Sequence, residues 1–224
     1  TVHPGAFHLD KNGAHVQPDG TYHYHTSPSG VICDYNFTTP SISVVDPPED
    51  YSNFTGLGFT KYANVFGVNI FATSGVSNSK VLHAANVMAE YMDNDLDGKP
   101  DNVDVANSLV CNQASLIMSS GELKIENMSF VDEGVSGIDL SRLSGVYALQ
   151  PLQGIETNPT GIGEFDSSLE KVLHLLTNYG WSEAYPDTLG TLHGSTLTNY
   201  MNSGRGGHFE WCDEHQMSDG TLMW

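Results

Sequence analysis

Carboxylates alternate in "DNDLDGKPDNVD", residues 93–104, in the pattern that an oxygen-seeking cation needs. Asp93, Asp95, Asp97, Asp101 and Asp104 stand at positions 1, 3, 5, 9 and 12 of a loop with Gly98 at position 6 and the backbone carbonyl of Lys99 at position 7. This is the spacing of an EF-hand-type loop. Ca²⁺ takes about six to eight oxygens, a tightly turning loop aims alternate side chains inward, and glycine at position 6 permits the turn. Position 12 departs from the type, because Asp104 is shorter than the glutamate that ligates with both oxygens. Carboxylates this close repel one another without a cation. The loop is therefore expected to hold Ca²⁺ in a structural role, tying a helix to the segment that follows. The alternative is a solvated acidic turn.

Histidines form the second constellation. The stretch "NGAHVQPDGTYHYHTSP", residues 12–28, carries His15, His23 and His25 around a turn, with His3, His8 and Asp10 just upstream. In "QPDG", Pro18 presets φ, Asp19 suits the second central position, and Gly20 can take the left-handed one. A three-residue loop of this kind pairs Gln17 with Thr21, Val16 with Tyr22 and His15 with His23. Directly opposed residues have Cβ atoms about 5 Å apart, and His25, two residues beyond His23, shares its face. Three imidazoles on one side of a ribbon point to Zn²⁺ or Cu²⁺. His3, His8 and Asp10 are candidate additional ligands. The alternative is a hairpin whose histidines are solvated or bonded to neighbours.

A third arrangement lies in "FDSSLEKVLHLLTNYG", residues 165–180. Glu170 and His174 are four apart on an expected helix, so both could reach one ion, as the histidines of H-E-x-x-H zinc-peptidase helices do. The position of the general base holds Lys171, which cannot activate a metal-bound water as a carboxylate does. Catalysis would need a third ligand from His193, His208, Glu210 or His215, and a base such as Glu164 or Glu183. The structural alternative makes Ser167 and Glu170 a capping box, His174 a half-buried residue and Gly180 the C-terminal stop.

The order Asn12-Gly13-Ala14-His15, then Gly20-Thr21-Tyr22-His23-Tyr24-His25, resembles a short YHYH-type motif of secreted bacterial and eukaryotic proteins. The resemblance implies a metal-binding element and no defined reaction. More faintly, "VLHAANVMAEYMDNDLDG" and "FDSSLEKVLHLLTNYGWSEAYP" resemble segments of uncharacterised secreted proteins whose second helix reads Glu-Glu-x-x-His. That likeness implies a chain that keeps the metal ligands of a zincin-like enzyme and has lost its base.

These residues need elements to position them. Residues 1–30 read as a His-rich hairpin arm and 31–60 as a Pro/Gly-rich connector with one short strand candidate, Ile42–Val45. Residues 61–224 read as an α+β core domain. In it "NVFGVNIFAT" reads as a strand, "SNSKVLHAANVMAEYMD" as an amphipathic helix and residues 103–165 as short strands and loops. The overall expectation is an α+β fold of a few helices and short strands with the hairpin arm attached.

Composition bounds the function. With 8 Lys+Arg against 27 Asp+Glu and a net charge of −19 over 224 residues, the surface repels phosphate backbones, which argues against a nucleic-acid partner. No run approaches the roughly 20 apolar residues of a membrane span. Three sequons, at Asn36, Asn53 and Asn127, in a sequence starting at Thr1 without an apolar leader, are read as a processed, secreted glycoprotein. Of Cys33, Cys111 and Cys212, two are expected to pair and one to remain, or to bridge to another chain. The expected function is binding of Ca²⁺ and of Zn²⁺ or Cu²⁺. Two further readings stay open: a peptidase-like metallohydrolase, and an extracellular structural subunit that self-associates through the N-terminal arm or an unpaired cysteine.

Overall fold

The computed structural model describes residues 37, 40–121, 147–159, 163–191 and 194–204 in full, and seven further short strands by their backbone. Two of those strands, β1 (Ala14–Val16) and β2 (Tyr22–Tyr24), pair antiparallel. A one-turn helix, α1 (Ser52–Thr55), leads into the central sheet. Its first strands, β3 (Phe59–Val65) and β4 (Val68–Thr73), form a hairpin through Phe66 and Gly67. Both turn residues have positive φ, 47° and 83°, the two-residue geometry whose twist matches that of the strands. Gly67 adopts it freely. Phe66 is held there because its ring is buried in the core, and Asn64 Oδ1 accepts the Gly67 N–H at 3.0 Å. The stretch "NVFGVNIFAT", expected as one strand, is thus the end of one strand, a turn and a second strand. Isolated glycine within the apolar run was the local signal for that turn.

From β4 the chain enters α2 (Asn78–Met92), the carboxylate loop, and α3 (Val103–Cys111), then returns as β5 (Ser115–Ser119), parallel to β4. The helix α3 falls where short strands and loops were expected. Its β-branched residues Val103, Val105 and Val110 favour strand. The Asn102 cap, whose side chain accepts from Val105 N–H, and the burial of Val105, Ala106 and Leu109 outweigh that preference. Three short strands, β6 (Leu123–Lys124), β7 (Ser129–Asp132) and β8 (Val135–Asp139), pair antiparallel as a separate sheet. The chain then forms β9 (Leu149–Gln153), parallel to β5, and the central order is β3-β4-β5-β9. Next come α4 (Ser167–Leu176), a π-helical turn (Thr177–Trp181), α5 (Ser182–Ala184), α6 (Pro186–Leu189) and α7 (Thr196–Gly204). A last antiparallel pair joins β10 (His215–Gln216) and β11 (Leu222–Met223). The fold is α+β, as expected from the sequence. Among the described residues no helix is long and apolar enough to cross a membrane.

The central sheet is covered on both faces, so every residue of β4 is buried. On one face Ile70, Ala72, Leu116 and Met118 pack with Val81, Ala85 and Met88 of α2, Leu109 of α3 and Leu175 of α4. On the other, Phe71 and Ile117 pack with Phe54 and Phe59. This alternation follows from the two-residue period of a strand. Phe54 anchors α1 by stacking on Phe71 with ring centroids 3.8 Å apart. Residues 49–60, part of the expected connector, therefore contribute to the core.

Two local expectations are corrected. The N-cap of α4 is Asp166, not Ser167: its carboxylate accepts from Ser168 N–H at 3.0 Å, and Ser167 lies inside the helix. An ionised carboxylate is a stronger acceptor than a hydroxyl at this position. Gly180 does not stop the helix. It sits inside the π-turn, where a Cβ would lie 2.8 Å from Val105 Cγ1 and 3.1 Å from Leu109 Cγ, so its lack of a side chain lets the turn close on α3.

Candidate functional site

The last turn of α2 delivers Asp93 to the carboxylate loop: its N–H donates to Ala89 O at 2.8 Å, and the chain then leaves the helix. Asp93 is 6% exposed, and its two oxygens organise the loop. Oδ1 accepts from Asp97 N–H at 3.0 Å and Oδ2 from Gly98 N–H at 2.9 Å. Asp95 Oδ1 also accepts from Asp97 N–H, and Asp97 Oδ1 accepts from Lys99 N–H. Asp101 closes the loop from the far side, its Oδ2 accepting from Asn94 N–H and its N–H donating to Met92 O. Gly98, with φ of 84°, makes the tight turn expected at position 6.

Through these bonds Asp93, Asp95 and Asp101 bring carboxylate oxygens within 4.8 Å of one another, the one such group of potential ligands among the described residues. Each pair of charges at that separation repels by about 1 kcal/mol even at the dielectric of water. The donors are all carboxylate oxygen, a set suited to a hard cation such as Ca²⁺ and not to a soft metal. Asp97 and Asp104 lie outside this group. Asp97 Oδ2 is 4.0 Å from Lys99 Nζ. Asp104, in the first turn of α3, has Oδ2 3.4 Å from the Tyr185 hydroxyl, which also bonds Asn102. Tyr185, which no local sequence signal singled out, thus ties the loop's exit to the segment after α4.

In the histidine hairpin the backbone register places His15 opposite His23 and Val16 opposite Tyr22. The turn at 17–20, His25, and the candidate additions His3, His8 and Asp10 lie outside the described residues.

Glu170 and His174 are both partly exposed on α4, with Glu170 Oε1 3.8 Å from His174 Nε2. Lys171 Nζ donates to the same oxygen at 2.8 Å, and this bond and its charge hold the Glu170 carboxyl below its ordinary value. Among the described residues no third ligand joins the pair. His193, His208 and Glu210 lie outside those residues, and His215 is described only as backbone.

A contact absent from the sequence reading links α2 to α4. His83 Nε2 lies 2.6 Å from Asp166 Oδ2, while Asp166 Oδ1 accepts from Ser168 Oγ at 2.6 Å and Asn158 N–H at 3.1 Å. Partial burial penalises the Asp166 charge, but the hydrogen bonds from Ser168, Asn158 and His83 outweigh it and hold the carboxyl below its ordinary value. The aspartate immediately before "SSLE" was the available signal, as an N-cap in its own right. Tyr91 hydroxyl, donating to Leu169 O at 3.4 Å, reinforces the same interface.

Cys111, the last residue of α3, is disulfide-bonded; Cys33 and Cys212 lie outside the described residues. Of the sequons, Asn53 is described and exposed on α1, and Asn36 and Asn127 are not described.

No curated protein and no solved structure matches the chain. Residues 3–107, which run from the histidine arm through β3, β4 and α2 to the carboxylate loop and into α3, match the model of the family described as YHYH protein, and that region is similar to YHYH-type proteins.

Proposed function

We propose that the chain is a secreted glycoprotein whose role is to bind metal ions. Ca²⁺ sits in the 93–104 loop as a structural tie between α2 and α3, and Zn²⁺ or Cu²⁺ sits on the histidine hairpin. The observation that carries the reading is the convergence of Asp93, Asp95 and Asp101 oxygens within 4.8 Å in a loop that a buried aspartate organises. Ca²⁺ would complete its coordination with loop carbonyls and water, and it would cancel the repulsion among the carboxylates. The hairpin reading is supported by the register that sets His15 against His23, since opposed positions in an antiparallel pair share one face. Binding is preferred to hydrolysis because Lys171 occupies the general-base position and pairs with Glu170, one of the two residues a hydrolase would need as a ligand.

Metal analysis of the purified full chain, before and after EDTA, tests this. About one Ca²⁺ per chain is expected, with Kd on the order of 10⁻⁴ M, as in extracellular modules. Zn²⁺ or Cu²⁺ should bind separately and survive saturation with Ca²⁺. A chain that takes up neither class of ion overturns the proposal, and uptake of calcium alone removes its hairpin half.

A further inference from the structure

The sequon Asn53-Phe54-Thr55 is built into the one-turn helix α1, and its three residues have unlike environments. Asn53 faces solvent, and its Nδ2 donates to the Tyr147 hydroxyl at 3.1 Å. Phe54 is fully buried, stacked on Phe71 and edge-on to Phe59 and Tyr147. Thr55 Oγ1 donates to Ser52 O at 2.9 Å. An enzyme that reads Asn-x-Thr must engage the amide and the hydroxyl together. Residues i and i+2 share a face in extended chain but not on a helix. In the folded protein the two side chains therefore diverge, the hydroxyl is already bonded, and the residue between them cannot leave the core without breaking the aromatic cluster.

We infer that Asn53 accepts a glycan only before α1 docks on the sheet, and that folding closes the site. The inference rests on the glycoprotein reading above and adds the order of events. In the transfer, Asn53 Nδ2 attacks the anomeric carbon of a polyprenyl-pyrophosphate-linked oligosaccharide. The bond from that carbon to the pyrophosphate oxygen breaks, polyprenyl pyrophosphate leaves with the electron pair, and Nδ2 gives up one proton to the transferase's base. The product keeps one Nδ2–H, enough to donate to Tyr147, and the attached sugar projects from an exposed position. The folded state thus tolerates the product while refusing the reaction.

The experiment uses the full chain made without glycan and a purified oligosaccharyltransferase with its lipid-linked donor. Folded chain is compared with the same chain reduced and then digested by trypsin, which releases residues 12–61 as one peptide because no Lys or Arg lies between Lys11 and Lys61 and reduction frees Cys33 of any disulfide. Mass spectrometry reads conversion at Asn53. The peptide should be modified about tenfold faster or more, because the folded chain reacts only through its open population. Equal rates, or no transfer to the peptide, overturn the inference. Phe54→Leu loosens the anchor while keeping an apolar side chain, so it should raise the folded-chain rate; an unchanged rate also counts against the inference. If transfer to the peptide occurs but protein secreted by a eukaryotic host carries no sugar at Asn53, the glycoprotein reading fails and the folding-gated chemistry stands.

Discussion

Asp93 is the residue on which the carboxylate loop turns, because both of its oxygens already accept backbone N–H groups from Asp97 and Gly98. Asp93→Asn keeps the size and one acceptor but removes the charge. It should abolish the stoichiometric Ca²⁺ uptake measured by titration calorimetry, and it should also loosen the metal-free loop. Asp166 carries a different load, as cap of α4 and partner of His83. Asp166→Ala should cost about 1 kcal/mol from the lost cap, up to about 2, read by urea unfolding. The pH dependence has a definite sign. Because the folded carboxyl lies below its ordinary value, its contribution is fully present above the unfolded pKa of about 4 and is lost as pH falls through the folded value. The stability difference between wild type and Asp166→Ala should therefore shrink below about pH 4. The carboxylate spacing was legible because the loop's residues are neighbours along the chain. The His83–Asp166 contact was not, because it joins residues 83 positions apart through the packing of two helices.

At the scale of elements, turn chemistry and helical periodicity did most of the predictive work. The apolar spacing in residues 77–93 identified α2, and "QPDG" implied the register that β1 and β2 adopt. The face that this register gives to His15 and His23 leads to a measurement: substituting either by Ala should weaken Zn²⁺ or Cu²⁺ binding by more than about tenfold, the loss that even an outer-sphere partner can cause, while leaving Ca²⁺ binding intact. Failures came where packing overrode local preference. Gly180 looks like a helix stop, yet it lies in a π-turn pressed against Val105 and Leu109. Gly180→Ala should destabilise the fold by about 1–3 kcal/mol through overpacking. Val105→Ala in the same chain should recover part of that loss, and a double-mutant cycle would show whether the two residues are coupled.

For the whole molecule, the largest lever is charge. A net charge of −19 disfavours the compact state through self-repulsion, and a cation bound among the three converging aspartates, as proposed, would relieve part of it. Raising Ca²⁺ to roughly twenty times Kd should add about 2 kcal/mol to stability, seen as a rise in Tm that EDTA reverses and Asp93→Asn lacks. The disulfide at Cys111 is a second whole-molecule constraint. Its reduction should cost about 2–5 kcal/mol, measured by melting with and without reductant at fixed Ca²⁺. By itself the sequence determined what depends on neighbours along the chain: the carboxylate pattern, the histidine hairpin, the amphipathic α2, the α+β class and the acidic surface. Only the tertiary structure decided which carboxylates converge, that Tyr185 holds Asp104 and Asn102, that α2 and α4 are latched through His83 and Asp166, and that Phe54 locks its sequon into the core. The last three join segments distant in sequence through packing that no local spacing encodes, whereas the carboxylates are neighbours along the chain that converge through the hydrogen bonds Asp93 and Asp101 make across the loop.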